Sequence, residues 1–411
     1  MRLLNSTKAN EIRSFLGFHS AIPFGRAASY YSSVSSPSLE ITSVYFPSRD
    51  GEHRLHTKRI RQANALPGTA SSPRPVCLLF HGALSDGRVF YSVKSQRGLG
   101  CYLARTGNCD VFVADFRGRG LSRPPVSSLS NYGQHELIID DVRAFSDGVA
   151  ALVAREKGEE GNEGHTYSAR QHWLAHSWGG IILSSALARN PSYASSVASQ
   201  VWFGAKRVIS VKSWEKVFKI DLVWGLLFPL LGKIYGFIPA RRFKLGADDE
   251  SLPFLSECSL WVRGGRWVDA KDGFDYAAGA QSMSNYPPTL SLAGEGDRVL
   301  GNPHDVLSFL KEHESQAPCP SSPTTVPPPF QFRVLSKRGG HKHDYDHSSF
   351  LLHRDCETDH FPLVLEWIRK HITGENCVIG PARTKSQLIA SSATPQPRSF
   401  LLCILVLWWL R

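Results

Sequence analysis

Short apolar runs alternate with helix-spaced apolar positions along most of the chain. Residues 76–80, 111–115, 171–174, 197–203, 289–294 and 330–335 read as strands, and the unbroken runs among them, such as Val76-Cys77-Leu78-Leu79-Phe80, as strands covered on both faces. Between them, residues 89–106, 136–157, 181–188 and 306–314 read as helices. In 136–157, Leu137, Ile138, Val142, Phe145, Val149, Leu152 and Val153 fall on one side. A closing helix is expected over 361–372. Ahead of this series, 39–46 and 55–61 alternate as two antiparallel strands joined by a turn at 48–52, at the edge of a sheet. Strand and helix in alternation predict an α/β fold with a mostly parallel central sheet and helices on both faces.

The alternation breaks over about 204–283, which is read as an inserted cap. Its apolar run from Val223 to Leu231 and its tryptophan-bearing stretch from Trp261 to Trp267 either line an acyl pocket or pack the cap's own core. Pro229, Gly232 and Lys233 interrupt that run, so it is not a transmembrane span. Residues 317–329 form a proline- and serine-rich surface loop, which is neither helix nor central strand. The domain is therefore drawn at 38–376, with extensions at 1–37 and 377–411. Arg2, Lys8, Arg13 and Arg26 against the single acid Glu11, followed by a serine-rich end, give the first segment the composition of a mitochondrial transit peptide; a disordered N-terminus is the other reading. The C-terminal segment ends in an apolar stretch at 400–410. That stretch is too short for an ordinary span, and shallow peripheral membrane contact is its alternative use.

Composition narrows the function classes. With 411 residues, 42% of them hydrophobic, the chain can bury a large core. The net charge of +11 is spread without basic blocks, so no nucleic-acid partner is expected. Eight cysteines without a C-x-x-C pair argue for free thiols, and His341, His343 and His347 lack an H-E-x-x-H spacing, so no metal or other cofactor is expected.

The candidate chemistry centres on Ala175-His176-Ser177-Trp178-Gly179-Gly180, between a strand and a helix. A serine on such a sharp turn lifts its hydroxyl out of the sheet, and the turn tolerates only small neighbours. Ser177 is the candidate nucleophile. Asp297, just past a strand end, is the candidate orienting acid, with Glu295 as its rival in the same loop. His347, past the following strand, is the candidate base, with His341, His343 and His353 as rivals. The backbone N–H groups of Ala83 and Trp178 are the expected oxyanion donors. His81 is expected to brace the loop before Ala83, and His176 to pack beside the elbow.

Taken together, His81-Gly82, the loop from Asp115 to Gly120, the elbow, Gly294-Glu295-Gly296-Asp297 and the late histidine loop resemble the α/β-hydrolase superfamily over about residues 39–372. Residues 235–242 with Leu252-Pro253 resemble a group of predicted α/β hydrolases within it and, more distantly, the acid lipases. The resemblance implies a Ser-His-Asp serine hydrolase of the esterase or lipase type, without cofactor, that cleaves a small-molecule or lipid carboxylic ester through an acyl-enzyme. The apolar cap leads to the expectation of an apolar acyl group rather than a charged substrate; thioester and amide cleavage stay open. The chain departs from the pattern at Ala175, where glycine is commoner, and at the proline-rich insertion. The rival reading is a binding or scaffold protein that keeps the fold without turnover.

Overall fold

The computed structural model describes residues 37–63, 74–158, 170–313 and 329–372. The transit-peptide segment, most of the proline-rich loop and the apolar C-terminal stretch lie outside the described residues. The strands are β1 (Leu39–Pro47), β2 (Arg54–Gln62), β3 (Val76–Phe80), β4 (Asp110–Asp115), β5 (Gln171–His176), β6 (Val197–Phe203), β7 (Phe237–Ile238), β8 (Glu250–Ser251), β9 (Thr289–Gly294) and β10 (Phe330–Leu335). Eight of them form one sheet in the order β1-β2-β4-β3-β5-β6-β9-β10, while β7 and β8 pair separately. Only β2 runs antiparallel to its neighbours β1 and β4; the other pairings in the large sheet are parallel.

The central strands are covered on both faces, which is why β3 and β4 read as nearly continuous apolar runs, whereas the edge strands β1 and β10 are partly exposed. In β3, Val76, Leu78 and Phe80 enter one core and Cys77 and Leu79 the other. The larger helices are α1 (Leu99–Gly107), α2 (Val142–Glu156), α3 (Trp178–Arg189), α4 (Phe228–Tyr235), α5 (Leu252–Val262), α6 (Tyr276–Gln281), α7 (Pro303–Lys311) and α8 (Phe361–Lys370). Leu99 and Leu103 of α1 share one core with Val364 and Ile368 of α8. Phe145 and Val149 of α2, Ile182 of α3 and Phe309 of α7 share the other.

The helix expected over 89–106 begins only at Leu99. Gly98 has φ 103°, and a Cβ there would lie 2.6 Å from the carbonyl oxygen of Phe90; a bridge between Ser92 and Arg97 closes the preceding turn. The spacing of apolar residues carried no trace of this reversal, because the turn packs them against the same core as the helix would.

Between β6 and β9 the chain leaves the sheet. Val223, Phe228, Leu231, Ile238 and Leu255 form a small core there and enclose Leu84 from the loop after β3. A buried ion pair, Arg119 with Glu250, ties this insertion to the loop after β4, and Glu250 Oε2 also accepts the N–H of Leu84 at 3.3 Å. Removing one partner of such a pair typically costs about 3 to 5 kcal/mol. The last helix of the segment, α6, packs on α3 so closely that a Cβ on Gly279 would lie 2.7 Å from the carbonyl of Ala188. Among the described residues, Cys77, Cys101, Cys109, Cys258 and Cys356 are buried free thiols, and no helix is long and apolar enough to cross a membrane.

His313, next to α7, is buried among Trp202, Trp267, Phe309 and Phe330. Its Nδ1–H donates to the carbonyl of Phe309 at 2.9 Å and its Nε2 accepts from Ser184 Oγ at 2.5 Å. Burial holds its pKa down to about 4. The unfolded chain therefore binds a proton that the native state refuses, so the stabilisation from this neutral ring is complete above pH ~6.5 and is lost as pH falls toward ~4. Thermal melts from pH 7 to 4.5 are expected to show a flatter decline for His313→Gln than for the wild-type chain.

Candidate active site

Parallel strands end on the same edge of the sheet, and the candidate residues lie in the loops just beyond those ends. In register, Phe80 pairs with Ala175, His176 with Phe203, Phe203 with Leu292 and Gly294 with Leu335. Ser177 follows β5 directly, Asp297 lies three residues past β9, and His347 lies in the loop after β10. All three are at least nine-tenths buried.

Ser177 adopts φ 52° and ψ −122°, a backbone state that costs a non-glycine residue about 1 to 3 kcal/mol. The surroundings enforce it. The N–H of Ser177 donates to the carbonyl of Phe203 at 2.7 Å. A Cβ on Gly179 would lie 2.6 Å from the carbonyl oxygen of His81 and 2.8 Å from that of Phe80, and one on Gly180 would lie 2.6 Å from Ala205 Cβ. Ala175, where the family pattern favours glycine, sits inside β5 opposite Phe80 and is fully buried.

Ser177 Oγ lies 2.8 Å from His347 Nε2, and His347 Nδ1 lies 2.6 Å from Asp297 Oδ2. Nothing comparable reaches the rivals. Glu295 is exposed; His341 pairs with Asp359 at 3.2 Å, while His343 at 2.7 Å and His353 at 3.6 Å gather around Asp355. Two glycines clamp the acid turn to the histidine loop. A Cβ on Gly294 or Gly296 would lie 2.2 Å from the carbonyl of Tyr345 or 2.5 Å from that of Asp344, and the N–H of Gly296 donates to Tyr345 at 2.9 Å.

Gly301 was not singled out by the sequence. A Cβ there would lie 2.5 Å from Asp297 Oδ2 and 2.9 Å from His347 Nδ1, so its bare backbone leaves room for that hydrogen bond. Its signal, one glycine in the turn before α7, is indistinguishable from an ordinary loop glycine.

Two further histidines are fixed as neutral rings. His81 Nδ1–H donates to the carbonyl of Gly82 at 2.8 Å, while its Nε2 accepts the N–H of Phe116 at 3.2 Å; burial lowers its pKa. His176 Nε2–H donates to the carbonyl of His347 at 2.8 Å. Burial first, and then the neighbouring His347, hold His176 well below the usual imidazole range. His81 thus braces the loop after β3, and His176 holds the backbone of the histidine loop against the elbow.

Ser177, His347, Ala83 and Trp178 line one cavity of about 480 Å³. Ile209, Ile220, Trp224, Val262, Leu300 and Leu352 contribute apolar wall, several of them from the insertion. Val223, Phe228 and Leu231 instead fill the insertion's own core. The Trp178 indole stacks on Trp261 with ring centres 6.3 Å apart and donates through Nε1 to Gln134 Oε1 at 2.6 Å.

A model of the alpha/beta hydrolase family matches residues 77–365, more than half of the chain, and the chain belongs to that family. Among solved structures, an esterase from Pyrococcus furiosus is similar at 14% identity with a TM-score of 0.46, covering 85% of this chain and 97% of its own. An esterase from Rhodococcus sp. ECU1013 is similar at 16% identity with a TM-score of 0.43, covering 80% and 99%. No curated protein sequence matches significantly.

The elbow's tolerance is open to direct measurement. Gly179→Ala is expected to lower unfolding stability by about 1 to 3 kcal/mol in urea titrations, because its methyl group meets two carbonyl oxygens.

Proposed function

We propose that the chain is a serine hydrolase that cleaves carboxylic esters through an acyl-enzyme. The observation that carries this reading is the continuous hydrogen-bonded chain from Ser177 through His347 to Asp297, at 2.8 and 2.6 Å, with Ser177 and His347 lining one cavity. His347 Nε2 takes the proton as Ser177 Oγ attacks the ester carbonyl, and Asp297 holds the imidazole in the tautomer that leaves Nε2 free to do so. The same His347 returns the proton to the departing alcohol. A water molecule, deprotonated by His347, then attacks the acyl-serine and releases the acid.

The tetrahedral oxygen formed in each half-reaction would be met by the N–H groups of Trp178 and Ala83. Trp178 opens α3, where backbone N–H groups have no partner within the helix. The orientation of Ala83 follows from His81: the carbonyl of Gly82 is held by His81 Nδ1, and in a planar trans peptide the next N–H points the opposite way. The loop also passes close to the elbow, since a Cβ on Gly82 would lie 3.4 Å from Trp178 N. One such donor is typically worth about 3 to 4 kcal/mol of transition-state stabilisation.

The apolar walls favour a hydrocarbon acyl group of modest length. The reading as a silent binding protein, which rests on a fold not guaranteeing turnover, would gain from a histidine loop too distorted to reach the serine; the 2.8 Å contact does not favour it. Labelling with a fluorophosphonate tests the proposal. Wild-type chain is expected to be labelled, and Ser177→Ala and His347→Ala are expected to lose the label while keeping their folded circular-dichroism spectra. Asp297→Asn is expected to lower ester kcat by about 10³ to 10⁴-fold. A folded wild-type chain that neither labels nor turns over short-chain esters would overturn the reading.

A further inference from the structure

Among the charged residues that line the cavity and take no part in the hydrolytic machinery, Lys206 is a buried one. It lies three residues beyond β6, next to Ala205, which packs against Gly180 at the start of α3. Its side chain is 96% buried and lines the same cavity as Ser177 and His347. Among the described residues it makes no hydrogen bond and no ion pair; its ammonium has only the Trp178 ring, 5.8 Å from Nζ to the ring centre.

The nearby acids are committed elsewhere. Asp297 is bound to His347, Asp305 accepts from Ser210 N at 3.1 Å and Ser210 Oγ at 2.5 Å, and Asp86 is taken by Arg88 at 2.5 Å. Burial pushes the Lys206 pKa down to about 8, against the pull of Asp297 and Asp305, so the group is still mainly an ammonium at neutral pH. A buried ammonium with no hydrogen-bonded or ion-paired partner is poorly solvated, and an anionic ligand in the cavity would supply the missing acceptor. The mouth of the cavity adds three more cations, Arg88, Arg241 and Lys244, all exposed. Arg88 is neutralised by Asp86 and Arg241 approaches Asp248 at 3.5 Å, which leaves Lys206 as the buried cation of the cavity lining.

Resting on the hydrolase reading, we propose that the substrate is an ester that also carries a carboxylate, and that Lys206 binds this carboxylate inside the cavity while the apolar walls hold the carbon chain between the two groups. A single internal ammonium suits a monoanion. A phosphate dianion calls for several donors or a guanidinium fork, and the arginines are confined to the rim. Lys206 is thus a specificity residue rather than part of the bond-breaking apparatus.

The test uses Ser177→Ala chain, which binds without turnover, and two matched pairs of esters: monomethyl glutarate with dimethyl glutarate, and O-butyryl glycolate with its methyl ester. These put the carboxylate on the acid side and on the alcohol side of the scissile bond. Calorimetry at pH 7 is expected to show at least one charged member binding about tenfold or more tightly than its neutral partner, and Lys206→Met in the same background to abolish that ratio. Lys206→Arg, which keeps the charge, is expected to retain part of it, and the wild-type comparison stands even if Lys206→Met does not fold. Equal affinity within both pairs overturns the inference, as does inorganic phosphate displacing the charged ester more effectively than glutarate does. Fluorophosphonate labelling of wild-type chain separates the two proposals: labelled Ser177 without charge preference sinks only the carboxylate site, whereas charge preference without labelling supports that site as a binding site and sinks the hydrolase reading.

Discussion

The constraint on which the rest of this structure depends is the turn between β5 and α3. Ser177 is held at a positive φ that its side chain disfavours, and the strain persists because the elbow is fixed on every side. Its N–H is tied to Phe203, Gly179 lies under the carbonyls of Phe80 and His81, and Gly82 passes 2.9 Å, measured from an added Cβ, from the serine's own Cβ. Three sheet strands are therefore locked to one residue, and α3 starts where the strain is released. The same crowding brings the loop after β3 against the N-terminus of α3, which is where two N–H groups can face one cavity.

A second level of fixation comes from buried charge. Arg117 lies between Asp50, Asp140 and Asp141, at 2.8, 2.6 and 2.7 Å, and so joins the turn of the first hairpin to the helical segment before α2. Asp115 accepts from Gly87 N at 2.7 Å and Leu121 N at 2.9 Å and pairs with His56 at 2.8 Å. Arg119 reaches across to Glu250 in the insertion. These groups are expensive to bury and repay the cost only when all partners are present, so they fix loop positions more than they add net stability. Two of these groups reach the loop after β3 that lines the cavity, Asp115 through Gly87 N and Glu250 through Leu84 N. Lys206 breaks this pattern, being equally buried and unpaired, and the contrast is what singles it out.

The sheet was legible because a strand covered on both faces must be apolar at every position, and a helix lying on a sheet must repeat every three to four residues. That rule placed β3 and β4 within a residue of their ends, and the more mixed runs of β6, β9 and the edge strand β10 were placed equally closely. It misplaced the start of α1, because the turn through Gln96 and Gly98 depends on positive φ angles that no apolar periodicity records. The order Ser177, Asp297, His347 was legible from strand ends alone. The choice against Glu295, His341, His343 and His353 rested there on loop position; in the structure Glu295 is exposed and the three histidines lie against Asp355 and Asp359, which carry no motif.

By itself, then, the amino-acid sequence determined the layered α/β architecture, the strand ends at which polar groups could gather, and the serine whose neighbours are small enough for a strained turn. Those are local properties, set by period, volume and backbone preference. Only the tertiary structure decided that Gly301 must be bare beside Asp297, that His176 carries the backbone of His347, and that Lys206 lines the cavity without a hydrogen bond or an ion pair. Each of these depends on which side chains arrive from elsewhere in the chain, and a lysine, a histidine or a glycine reads the same in sequence whether its neighbours satisfy it or leave it waiting.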